Sequence, residues 1–268
     1  MMITFIGGGN MGEAMVAAIL NKGLSTSRDI SVCEINNERC HYLEQKYGVA
    51  ITNNSRLATE KSEVVVLAVK PQNLTEVMTE LDSKLKPEQL VLSIIAGARI
   101  DTLRHGLNHD CIIRAMPNTP AQIGEGISVW TATAEVTEPQ KVATGYILGA
   151  MGREIFVNIE KYIDMATAVS GSGPAYCFLF VESLVDAAIH IGLPHDMAQE
   201  LVVATMLGSG HFIQKSGNLP VELRKQVTSP GGTTAEALLK LQAGGFSELI
   251  KQAIIAAHDK AQKLGQGN

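Results

Sequence analysis

Aromatic side chains are scarce in this chain, at 4% of positions with a single tryptophan. Ala, Val, Ile, Leu and Met must therefore fill whatever core it builds. Cysteine is equally sparse. Cys33, Cys40, Cys111 and Cys177 are scattered, with no C-x-x-C pair and no metal-ligand spacing to histidine. That pattern excludes a disulfide framework, points to no metal site, and fits reduced thiols in a cytosolic protein. Basic clusters are missing too: 22 Lys and Arg stand against 27 Asp and Glu, for a net charge of −5. This argues against a nucleic-acid or anionic-membrane partner. No uninterrupted apolar run reaches transmembrane length. The apolar segment Met2–Ile6 is too short for a signal peptide. The expectation is a soluble, cytoplasmic protein. What is present is a 46% hydrophobic, 18% charged chain of 268 residues, enough for one large or two ordinary packed domains.

Short apolar runs alternate with helical patterns over the first part. The runs Ile3–Ile6, Ile30–Cys33, Val64–Val69, Leu90–Ile94 and Cys111–Arg114 read as strands. Helices are expected between them at Met11–Asn21, Glu38–Lys46, Leu74–Leu85 and Ile100–Gly106. Such alternation implies βαβ units around a parallel sheet. The continuous run V-V-V-L-A-V is what a strand covered on both faces requires. Ile127–Trp130 and Glu154–Val157 extend the series, with a helix near Pro139–Leu148 between them. Beyond about Asp164 only helical patterns remain: Ala175–Ile191, Met197–Lys215, Val221–Val227, Thr234–Leu241 and Phe246–Lys263. In the first of these, Glu182, Asp186 and His190 form one narrow polar stripe and the rest is apolar. A helix apolar nearly all round must be buried nearly all round. About a hundred residues of helix cannot enclose it alone, so a second subunit is expected to cover it.

The segment G-G-G-N-M-G places Gly7, Gly9 and Gly12 in G-x-G-x-x-G spacing, after a strand and at the start of a helix. Gly7 permits a tight turn, Gly9 lets a pyrophosphate approach the backbone, and Gly12 brings the helix close to the strand. The free N–H groups and dipole of the helix start complete an anion site. Glu34, at the end of the second strand, suits the acidic position that accepts ribose hydroxyls and repels a 2′-phosphate, which argues for NADH. Arg39 is the nearest cation. Lys70, in A-V-K-P-Q, follows a strand at the carboxyl edge and reads as a catalytic amine, a phosphate contact or a surface charge. Gly97 in S-I-I-A-G-A-R and Asn118 in R-A-M-P-N-T-P follow later strands at the same edge. The two prolines beside Asn118-Thr119 stiffen that loop, either to position a nicotinamide ring or simply to make a turn.

In V-S-G-S-G-P-A-Y, Pro174 suits the first turn of a helix. Ser170, Gly171, Ser172 and Gly173 allow close approach either to a ligand or to another helix. In S-P-G-G-T-T-A-E-A-L, glycines and hydroxyls precede an apolar-periodic helix, a setting that suits a carboxylate.

Taken together, F-I-G-G-G-N-M-G, A-V-K-P-Q, R-A-M-P-N-T-P, S-G-S-G-P-A-Y and S-P-G-G-T-T resemble pyrroline-5-carboxylate reductase, in order and spacing, from Met2 to about Leu264. The resemblance implies an α/β N-terminal Rossmann domain with a parallel sheet, over 1–160. It also implies an all-α C-terminal dimerisation and substrate domain, over 161–268. The partner would be a second copy, with five dimers in some members. The implied reaction is hydride transfer from NADH or NADPH to the imine of 1-pyrroline-5-carboxylate, giving L-proline. By resemblance Ile6, Gly7, Gly8, Gly9, Asn10 and Met11 would bind the pyrophosphate. Ala68, Val69, Lys70 and Pro71 would line the cofactor cleft. Ala96, Gly97, Met116, Pro117 and Asn118 would border the nicotinamide. Glu160, Thr233 and Thr234 match positions that contact proline or its imine, beside Ser229, Gly231 and Gly232. Thr234 is the candidate catalytic residue, its hydroxyl meeting the ring nitrogen. Glu34 departs from the Ser, Asn or Arg neighbourhood of NADPH-preferring members, and Gln226 from an Asn found in some. Two other readings fit the outline. A β-hydroxyacid dehydrogenase would need a helix lysine that the S-G-S-G-P-A-Y segment does not offer. A nicotinamide-binding sensor would not need the Gly-Gly-Thr-Thr site.

Overall fold

A computed structural model describes residues 1–265. It contains eight strands: β1 Ile3–Ile6, β2 Ile30–Cys33, β3 Ala50–Thr52, β4 Val64–Leu67, β5 Leu90–Ser93, β6 Ile112–Met116, β7 Gly126–Ala132 and β8 Gly152–Phe156. Helices α1 Asn10–Asn21, α2 Asn37–Tyr47, α3 Ser55–Thr59, α4 Leu74–Leu81, α5 Ile100–Leu107 and α6 Glu138–Gly149 lie among them. The helical part comprises α7 Lys161–Ala166, α8 Gly173–His190, α9 His195–Ser216, α10 Pro220–Gln226, α11 Thr233–Ala243 and α12 Phe246–Gly265.

One sheet carries all eight strands in the order β3-β2-β1-β4-β5-β6-β7-β8. The pairs from β3 to β6 are parallel. β7 reverses against β6, and β8 follows β7. The parallel sheet read from the sequence thus gains a reversed pair at one edge. Hydrophobic pattern reports which face a residue takes, not which way the strand runs. The short edge strand β3 and helix α3 have no counterpart in the sequence reading, because three half-exposed residues carry almost no periodicity.

The continuous apolar runs divide their residues between two faces. Ile3, Phe5, Val64, Val66, Leu90 and Leu92 join one core with Met15, Val16 and Ile19 of α1 and Ile147 and Leu148 of α6. Val65, Leu67, Val91 and Ile112 join the other with Leu74, Val77 and Leu81 of α4 and Leu103 and Leu107 of α5. Each fully buried aliphatic chain contributes about 1.5–3 kcal/mol. These two layers clamp the sheet and fix its carboxyl edge.

The chain forms two compact units. One runs from Met1 to Ser172 and takes up the chain again from Ala257; the other is Gly173–Ala256. Within the second, α8 packs on α9, and Phe180 meets Phe246 of α12 with ring centroids 5.9 Å apart. No residue of α8 is buried in the single chain. Phe178 and Leu179 stand 64% and 63% exposed. The helical stretch Lys161–His190, with mean hydropathy 1.2, is long and apolar enough to cross a membrane by length and composition alone. This corrects the expectation that nothing reaches that length: the polar stripe interrupts every run but leaves the average high.

Candidate active site

The glycine turn joins β1 to α1 where the strand order departs in opposite directions, toward β2 and toward β4. Ligands bind at this switch point in open α/β sheets. Gly7 has φ +103, and a Cβ there would lie 2.7 Å from the Ala68 carbonyl oxygen. The β1 and β4 exits therefore touch backbone to backbone, as only glycine allows. A Cβ on Gly12 would lie 2.6 Å from the Gly7 oxygen, whereas one on Gly9 would meet nothing within 4 Å. Gly9 faces open space, and no side chain caps α1. Its first N–H groups are available to an anion.

A cleft of about 500 Å³ opens here. It gathers Ile6, Gly7, Gly9, Glu34, Ala68, Val69 and Lys70 among the residues expected from the sequence. Gly8, Asn10, Met11 and Pro71 adjoin it in the chain, and the Met11 side chain packs on the core. Asn53 and Ser55 also line it, as do Glu76 and Glu80 of α4. The first two come from the exit of β3, so the missed strand concealed them.

Glu34 is tied to main chain on both oxygens. One accepts the Gly8 N–H at 2.9 Å, the other the Ile35 and Asn36 N–H groups, each at 2.9 Å. The Asn36 side chain caps α2 by accepting the Arg39 N–H at 2.9 Å. That cap aims Arg39 back at the turn, where its Nε donates to the Gly8 oxygen at 2.6 Å. The rest of the guanidinium is paired with Glu13. Glu13 also accepts from Tyr42, Lys46 and Tyr47 at 2.8–2.9 Å. Burial pushes its carboxyl up, but the hydrogen bonds from Lys46, Tyr47, Arg39 and Tyr42 outweigh it and bring the pKa down to about 2. Nothing in the sequence pattern flagged this cluster.

Farther along the carboxyl edge, Asn118 uses its side-chain oxygen to accept the Ile127 N–H at 2.9 Å, which pins the loop after β6. Met116 closes β6, and Gly171 lies against it, where an added Cβ would be 3.0 Å from the Met116 Cε. Gly171 ends a wide π turn, Thr167–Gly171, the kind of helix irregularity that recurs at functional sites. Arg114, on β6 and 1% exposed, is the largest fully buried side chain in the sheet. It donates to Glu160 at 2.8 Å and to Asp164 at 2.6 Å. The same Glu160 oxygen accepts the Ile100 N–H at 2.9 Å. Glu160 is thus fixed by two donors through one oxygen. Sequence reasoning singled out Glu160 but not its buried partner.

In the second unit, Ser229–Thr234 form the start of α11. Gly231 has φ +68, and the Gly232 N–H donates to the Ser229 oxygen at 3.1 Å. Gly232 occupies the N-cap position, with no side chain capping the helix. Thr233 is exposed and Thr234 partly so. The open helix start anticipated for a carboxylate is present.

A glycine turn at the switch point of a doubly wound sheet, with a helical unit after it, defines the class of nicotinamide-dependent oxidoreductases. Residues 2–97 match the family model described as "NADP oxidoreductase coenzyme F420-dependent", and residues 160–264 match "Pyrroline-5-carboxylate reductase dimerisation". A pyrroline-5-carboxylate reductase of Synechocystis sp. is 38% identical over 261 residues, 97% of each chain. A solved pyrroline-5-carboxylate reductase structure from Coxiella burnetii superposes with a TM-score of 0.88 at 36% identity, covering 98% of this chain and 97% of that one. A Plasmodium falciparum pyrroline carboxylate reductase with NADP bound gives 0.89 at 29% identity, covering 98% of each. The chain belongs to the pyrroline-5-carboxylate reductase family and is an oxidoreductase with a dimerisation domain.

Proposed function

We propose that the chain reduces 1-pyrroline-5-carboxylate to L-proline, the last step of proline biosynthesis. The observation that carries the reading is the relationship to the Synechocystis reductase, which spans 97% of both chains. The cleft at the switch point fits a dinucleotide: an uncapped helix start, open space at Gly9 and a carboxylate at Glu34. A bound nicotinamide supplies the hydride. The protein supplies orientation, and proximity alone is worth several kcal/mol. Backbone from Ile6 to Met11 holds the pyrophosphate, Ala68 to Pro71 line the cleft, and Ala96, Gly97, Met116, Pro117 and Asn118 border the ring. Glu160, Ser229, Gly231, Gly232, Thr233 and Thr234 bind the substrate. The open start of α11 takes its carboxylate, and the Thr234 hydroxyl keeps the ring nitrogen protonated.

NADH is the proposed reductant. Glu34, Glu76 and Glu80 outnumber Lys70 along the cleft, and the guanidinium nearest the turn, Arg39, is engaged by Glu13 and the Gly8 oxygen. A 2′-phosphate would meet carboxylates without a free guanidinium. The working form is a cytoplasmic homodimer, with assembly of dimers into a decamer as its higher order. The functional division is taken at 160/161, a reading supported by a dimerisation match that starts at residue 160.

The test is loss of reduced-nicotinamide absorbance with pyrroline-5-carboxylate and either cofactor. Oxidation with NADH preferred is expected. A preference for NADPH overturns the cofactor reading alone, and no oxidation with either overturns the reaction. Thr234→Ala is expected to lower turnover at least about tenfold while NADH binding survives; full activity removes Thr234 from the mechanism.

A further inference from the structure

We infer that the last turn of α12 is a working part of the cofactor site, a buttress that sets the backbone of the loop after β5. The inference rests on the reading of Ala96 and Gly97 as the nicotinamide border. Although α12 begins in the helical unit, its residues from Ala257 onward belong to the sheet-containing unit. Its end presses on the loop through two glycines, one on each side. Gly97 has φ +78, and a Cβ there would lie 2.7 Å from the Leu264 Cβ and 3.0 Å from the Leu264 carbonyl carbon. A Cβ on Gly265 would in turn lie 2.6 Å from the Arg99 Nε and 3.3 Å from its Cγ. Ala261 and Gly265 are buried on the same side of the helix. At Gly97 the close approach of the Leu264 backbone and a positive φ leave no room for a side chain, while at Gly265 an added side chain would have to displace the Arg99 side chain.

The consequence for the loop is specific. Gly97 is buried beneath Leu264, so Ala96 is left as the more accessible residue of the pair. The Ala98 N–H closes the turn onto the Ile95 oxygen at 3.2 Å. The Ile100 N–H donates to Glu160 at 2.9 Å. The loop is therefore held at one end by the carboxylate that Arg114 fixes and at its middle by the end of α12. Between them these contacts restrain the backbone on the C-terminal side of Ala96 against the sheet edge. A loop positioned this way presents a preformed wall, which reduces the ordering cost of binding. The positioning residues are Leu264 and Gly265, neither of which follows a strand or lies in the glycine turn. They act through Gly97 and Arg99.

The experiment compares three forms of the full protein: a chain ending at Lys263, the substitution Gly265→Val, and a control chain ending at Gly265. NADH binding is read by nicotinamide fluorescence, independent of turnover. Amide exchange is followed at 94–100, and mass and thermal unfolding are recorded for each form. The chain ending at Lys263 and Gly265→Val are expected to raise the Kd for NADH about tenfold, or 1.4 kcal/mol. Exchange at 94–100 should speed up, while the KM for pyrroline-5-carboxylate and the assembled mass stay at parent values. The control should bind as the parent does. Should the shorter chain fail to fold, Gly265→Val carries the test alone. Parent-like NADH affinity and parent-like exchange at 94–100 in a folded Gly265→Val protein overturn the inference. A parent that binds NADH but reduces no imine would overturn the proposed reaction and leave this comparison intact.

Discussion

Glu13 shows how one side chain can organise the edge of a cleft that it does not itself line. It sits one turn into α1, accepts from four residues of α2, and so holds Arg39 against the Gly8 oxygen. Its carboxyl has a pKa of about 2 against an ordinary 4.5. The unfolded chain therefore binds a proton that the folded chain refuses, and stability falls as pH drops through that window. At neutral pH the contribution is complete. Glu13→Gln should cost roughly 2 kcal/mol there, as expected for hydrogen bonds to a charged group. The difference between parent and variant in urea unfolding should close progressively below pH 4.5 and be nearly gone at pH 2. A difference that stays constant across that range would show that the carboxylate charge is not what holds the cluster.

At the scale of elements, the Arg114 cluster joins β6 to the entry of α7. Arg114→Met removes the cation and leaves Asp164 as a buried charge without it, beside the partly exposed Glu160. Breaking such a pair costs about 3–5 kcal/mol, so the urea midpoint should fall sharply. Asp164→Asn in the Arg114→Met background should recover part of the loss, whereas additive losses would mean the two groups are not coupled. This cluster also marks where sequence reading stops. The strands β1, β2, β4 and β5 were legible because both of their faces are buried, which makes the apolar run continuous. The glycine turn was legible because its spacing records backbone contacts that exclude any side chain. Arg114 was not, since a charge inside R-A-M-P-N-T-P gains meaning only from Asp164, fifty positions on. The π turn was hidden as well: one extra residue in a helix leaves composition unchanged.

At the scale of the whole molecule, the sheet unit carries its own two-sided core, while the helical unit exposes Phe178, Leu179 and their neighbours. Cys177 stands exposed on the same helix. In the assembled protein it should resist alkylation and should react once dilution or mild urea separates the copies. Reaction at equal rates in both states would place the covering surface elsewhere. Cys33 and Cys111, whose thiols burial pushes up, should stay unreactive until the sheet unit unfolds. The exposed α8 also has a consequence in gene dosage. A chain that completes its fold on a second copy is stabilised by its own abundance. Halving its supply then removes more than half of the working protein. A defective copy that keeps an intact α8 would capture sound partners, so damage to the sheet unit alone should lower the working protein further than damage to α8 does.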